Sequence, residues 1–338
     1  MGILSGPSPV WLINPVASMQ STGPSGLCKT LRNCRWEIFI GKRLTRWLHV
    51  DLTNGQRPLR SIERSYHTTL SSPEKPLRTE RMSGLSEEQI DELERRVARL
   101  LENPWDKATG RPRGLTFREA LIVTCGYMRQ NITEEVWADI FGVAQSTISR
   151  CIALLTPLVR RATDRDRPTA TSAARALKGA IALVDGTLWP CWSWKGKKKL
   201  WSGKHKATGH GSLVIANLQG RVLYVSGPVT GNQHDMRKLS GSAAEKILKK
   251  ASGVLGDKGF IGTTYITTPI RKPRSRNLLD WEKEWNRQVS SFRAPVERAI
   301  ADLKSWRTLF ADYRRPLATF ETSFYAATGL YFFKASFE

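Results

Sequence analysis

Two short apolar runs, Ala182-Leu183-Val184 and Val254-Leu255-Gly256, each end in an aspartate, Asp185 and Asp257. A carboxylate set against buried strands is expensive unless a cation or strong donors meet it. The pair therefore calls for a sheet whose strand ends gather at a polar site. Its surroundings suit an α/β arrangement: residues 180–189 are a buried strand, 211–229 two strands joined at Asn217-Leu218-Gln219-Gly220, and 254–260 a strand ending in a turn. Helical patterns cover Asp235–Lys250, Arg293–Leu309 and Phe320–Phe333.

Upstream the pattern is helical. Ser86 and Gln89 suit a capping box before Ile90, Leu93, Val97, Leu100 and Leu101, and Asn103-Pro104 stops that helix. A second helix is expected over Thr116–Arg129, and two short ones follow to about Val159. The last two suit a helix-turn-helix, the alternative being an ordinary helical hairpin with its polar residues facing solvent: Val136, Ile140, Val143 and Ile148 would pack between them, with Gly142 at the turn. Its second helix would present Gln145, Ser146, Thr147 and Arg150 to a DNA groove. The expected organisation is a poorly ordered extension over 1–82, a helix-turn-helix domain over 83–160, a linker over 161–179 and a catalytic domain over 180–335. Initiation at Met82 would give a shorter chain that opens on the first helix.

The 338 residues carry a formal charge of +23, which points to a polyanionic partner, nucleic acid before an acidic membrane surface. Twelve tryptophans and 40% hydrophobic residues exclude a wholly disordered chain. No apolar run reaches the roughly 18 residues of a bilayer crossing, so no membrane partner and a cytoplasmic location are expected, nucleoid-associated in a prokaryote. Cys28, Cys34, Cys125, Cys151 and Cys191 lack zinc or redox spacing and read as reduced thiols.

A third acid, Glu297, lies in RAPVERAIADLKSW (293–306). At about 3.6 residues per turn, Arg293 and Lys304 share its helix face. Three such acids suit Mg²⁺ or Mn²⁺, and two ions sharing them can clamp both oxygens of a phosphodiester displacement. Lys204, Lys206, Arg271 and Arg274 are candidate phosphate contacts. Trp189, Trp192, Trp194 and Trp201, interleaved with lysines, are either core or stacking platforms.

Val184-Asp185-Gly186-Thr187, Trp201-Ser202-Gly203-Lys204-His205-Lys206, Gly231-Asn232-Gln233-His234-Asp235, Gly256-Asp257-Lys258-Gly259-Phe260 and Arg293-x3-Glu297-x6-Lys304 occur in that order. The series resembles the DDE transposases of the insertion-sequence-five and Harbinger-like group, over about residues 82 to 333. Where related chains have Y-x2-R-x3-E-x6-K, Ser290 takes the tyrosine position. The resemblance implies an RNase H-like catalytic domain behind a small all-α helix-turn-helix domain. It further implies a triad of Asp185, Asp257 and Glu297 holding two Mg²⁺ or Mn²⁺ ions, with Arg293 and Lys304 on phosphate. The implied activity is transposition: binding of terminal inverted repeats, strand cleavage and strand transfer into target DNA by a homodimer or higher oligomer. Two alternatives are a DNA-binding repressor or relic that keeps the fold, and an endonuclease without strand transfer. His234 and Asp235 are secondary site candidates, with an N-terminal cap as the plain reading of Asp235.

Overall fold

A computed structural model describes residues 79–106, 110, 112–192 and 196–337. Residues 76–338 form one compact unit. Most of the expected N-terminal extension, with Cys28 and Cys34, lies outside the described residues, as do Trp194 and Lys195. The described part of the extension is helical: α1 spans Thr79–Ser83.

Helix α2 (Glu87–Ala98) starts where Ser86 and Gln89 close the expected capping box. Thr116 and Glu119 form a second box ahead of α3 (Phe117–Gln130), whose interior is almost wholly buried. Helices α4 (Glu134–Phe141) and α5 (Gln145–Thr163) follow. The segment expected as a linker is built into the fold instead. It contains the end of α5, a 3-10 turn over Asp164–Asp166 and α6 (Ala170–Ala176). Its polar-looking text conceals Ala162, Ala173 and Leu177, which are buried.

The sheet is mixed. Strand β1 (Ile181–Pro190) lies between β3 (Ala207–Asn217), antiparallel, and β6 (Gly253–Gly256), parallel. Strands β2 (Trp201–Ser202), β4 (Val222–Val225) and β5 (Val229–Thr230) all pair with β3. The expected helix over 235–250 is broken into α7 (Asp235–Leu239) and α8 (Ala243–Leu248). The helix expected to open at Arg293 begins earlier: α9 runs Asp280–Leu303 and tolerates Pro295 inside it. Helix α10 (Phe320–Ala335) is mostly buried and packs along α5. One apolar core consequently joins the helical region to the sheet, including Leu121, Ile152, Val159, Leu183, Trp189, Val296, Trp306 and Phe324. Among the described residues, no single helix is long and apolar enough to cross a membrane.

Candidate functional site

The parallel ladder between β1 and β6 ends at the rung Val184↔Gly256. Asp185 and Asp257 are the next residues on the two strands, and neighbouring strands run about 4.8 Å apart. The two carboxylates thus emerge side by side. Asp185 does not terminate its strand, as the apolar run suggested: β1 continues past it, held by β3, with Asp185 opposite Val214.

Local donors fix both acids. Asp185 accepts from the Gly186 N–H through Oδ1 at 2.8 Å and from Arg293 Nη2 through Oδ2 at 3.1 Å. Asp257 caps a 3-10 turn by accepting from the Gly259 N–H at 2.8 Å. Its Oδ2 accepts from Lys204 Nζ at 3.1 Å, and that ammonium also donates to Asp235 Oδ2 at 2.9 Å. Arg293 is buried although charged, and reaches Asp185 from α9.

Burial pushes the Asp185 carboxyl up to about 6; Arg293 opposes this and the Asp257 charge adds to it. A folded-state value above the ordinary 3.8 means that the folded protein holds this proton more tightly than the unfolded chain does. The resulting stability is full below about pH 3.8 and is lost as pH rises through about 6. In chelator, Asp185→Asn is therefore expected to gain roughly 3 kcal/mol on the wild type between pH 4 and pH 7, read by urea unfolding. A difference independent of pH would contradict a desolvated Asp185.

The other predicted residues divide. Glu297 is exposed on α9, one turn beyond Arg293, and is not gathered with the aspartates. Among the described residues, no three acids, histidines or cysteines form a group that could hold a metal ion. Lys304 caps the C-terminus of α9, with its ammonium 5.7 Å from the Trp189 ring centre. Burial lowers its pKa against the pull of Asp185. Lys204, expected on phosphate, is bound to carboxylates, whereas Lys206, Arg271 and Arg274 are exposed. Trp189 is core, its indole N–H donating to Ser212 at 2.8 Å; Trp192 and Trp201 are exposed. His234, not Asp235, is the N-cap of α7, and its side chain is exposed.

The sequence marks Asp235 only as a secondary candidate and does not single out Lys238. Both side chains are buried and paired at 2.9 Å. The available signal was their i, i+3 spacing on a short helix.

In the helical region, α4 and the stretch Gln145–Ala176 bend by 108° across the break that holds Gly142, whose φ of 63° provides the left-handed turn. The burial departs from expectation in part: Val136 and Ile140 are exposed, Ile148 is buried as expected, and Trp137 and Ala138 are the buried residues of α4. Pattern alone put the apolar stripe one residue off. At the start of α5, Gln145, Ser146 and Arg150 are exposed and Thr147 partly so. Arg150 folds back on Ser146, and Gln145 pairs with Glu134 of α4.

An acidic pair braced by the buried Arg293 and the half-exposed Lys204 thus lies on a mixed sheet that a helix-turn-helix precedes. Residues 184–330 match the DDE superfamily endonucleases, and residues 113–163 match the helix-turn-helix of DDE superfamily endonucleases. The two matched regions are those of a DDE superfamily endonuclease and of its helix-turn-helix. It is 28% identical over 227 residues to a protein of Streptomyces albus G named as the transposase for insertion sequence element IS112, covering 67% of this chain and 83% of that one. A protein of Microchaete diplosiphon named as the transposase for insertion sequence element IS702 is 35% identical over 127 residues, 36% of this chain and 44% of its own length. A human protein named as nuclease HARBI1 is 23% identical over 234 residues, 64% of each chain.

Proposed function

We propose that the protein is a transposase that cuts DNA at the ends of a mobile element and transfers the freed strand to a target. The observation that carries this reading is the emergence of Asp185 and Asp257 at corresponding positions, each one residue beyond the last parallel rung. The strand order, with β1 antiparallel to β3 and parallel to β6, supports an RNase H-like catalytic fold.

The donor set fits a divalent ion: hard carboxylate oxygens are what Mg²⁺ and Mn²⁺ prefer. Lys204 and Arg293 already place cationic groups on these acids, which marks the cradle as anionic. Asp185 and Asp257 would hold the metal ions, with Glu297 as the third acid brought in from α9. Bound there, a divalent ion supplies Lewis acidity and lowers the pKa of water. Arg293 orients Asp185, and Lys304 lies where it can hold phosphate beside the acids. Gln145, Ser146, Thr147 and Arg150 would read the terminal repeat, with Lys206, Arg271 and Arg274 on phosphates. Pairing of two ends requires a dimer or higher assembly on DNA.

The test is incubation of the protein with a labelled terminal-repeat duplex and a target plasmid, with Mg²⁺ or with chelator. Strand-transfer products that require Mg²⁺ are expected. Cleavage without transfer would identify a plain endonuclease, and duplex binding with neither product would identify a DNA-binding protein that retains the fold.

A further inference from the structure

Asp235 is 5% exposed, yet it neither caps α7 nor faces the sheet core alone. Its two oxygens are taken by two ammonium groups, Lys238 at 2.9 Å and Lys204 at 2.9 Å. Lys238 is equally buried and belongs to the same helix, so it anchors the carboxylate from below. The backbone is cleared for this pair. A Cβ on Gly186 would collide with the Asp235 carboxylate, and one on Gly211 would come within 2.6 Å of Lys238 Nζ.

Lys204 is different. It stands in the four-residue tip, 203–206, of the hairpin that joins β2 to β3, and every residue of that tip is exposed. Its side chain keeps 49% of its surface and spans from Asp235 to Asp257. It can leave without disturbing the core, whereas Asp235 and Lys238 cannot.

We infer that Lys204 is the internal cation of this site, competing with a divalent ion for Asp257, and that Asp235 is the positioning residue that holds it there. The inference rests on the metal-site reading given under the proposed function. The ammonium neutralises Asp257 while no metal is bound and must withdraw toward Asp235 or solvent when one arrives. No bond is made or broken in this exchange.

Mn²⁺ titration of the full chain by calorimetry, without DNA, tests it. Lys204→Met is expected to tighten Mn²⁺ binding roughly fivefold, the scale of one partly exposed ion pair. Lys206→Met, on the same tip but bonded to neither acid, controls for general charge and is expected to change affinity by less than about twofold. In an Asp235→Asn background, Lys204→Met is expected to lose most of its effect, because contacting residues couple. Equal effects of Lys204→Met and Lys206→Met overturn the inference, as does an undiminished Lys204→Met effect beside Asp235→Asn. Asp257→Asn separates the two levels. If it fails to weaken Mn²⁺ binding, the metal site itself is wrong; if it weakens binding but Lys204→Met does nothing, only the competition is wrong.

Discussion

Asp257→Asn is expected to lower cleavage of a terminal-repeat duplex at least about a thousandfold, roughly 4 kcal/mol of transition-state stabilisation. Affinity for the same duplex should stay within about twofold, since phosphate and groove contacts remain. The substitution is well suited to the question. Oδ1 of asparagine can still accept from the Gly259 N–H, so the 3-10 turn is preserved while the charge facing Lys204 is lost. Asp185→Asn should act alike, with its Gly186 contact kept and the Arg293 contact altered. Rates from gel-resolved products and affinities from fluorescence anisotropy check both. Residual cleavage within tenfold of the wild type would remove Asp257 from the chemistry.

Lys238→Met is expected to destabilise the fold by roughly 3 kcal/mol, measured by urea unfolding, because it leaves Asp235 buried with only the half-exposed Lys204 as partner. Adding Asp235→Asn should recover most of that loss, since the cost lies in the uncompensated charge and not in the missing ammonium. Burial works to raise Asp235, yet Lys238 and then Lys204 keep its carboxyl below the usual range. A single mutant as stable as the wild type would mean that the pair contributes nothing to the fold.

The sequence carried much of this arrangement because its signals are local. The Ser86 capping box, the turn at Gly142 and the apolar runs before Asp185 and Asp257 each depend on a few neighbouring residues. What it concealed depends on tertiary contact. The helix stripe at Val136 and Ile140 looked right by period, but Trp137 sits against Gly126 and takes the core position. Residues 161–179 read as a linker because their buried side chains are few and, Leu177 apart, small, and only packing against the rest of the fold makes them structural. Lys204 and Asp235 lie 31 positions apart, so no spacing rule could pair them. Glu297 shares a helix face with Arg293 by period, yet that face turns from the bound guanidinium at Asp185 to an exposed carboxylate within one turn.

The central claim, that Asp185 and Asp257 form one cation-binding centre, is tested most directly by anomalous diffraction from crystals soaked in Mn²⁺. The expected result is a manganese peak bonded to carboxylate oxygens of both aspartates, with Lys204 moved off Asp257. A peak elsewhere, or none at either carboxylate at saturating Mn²⁺, would contradict it.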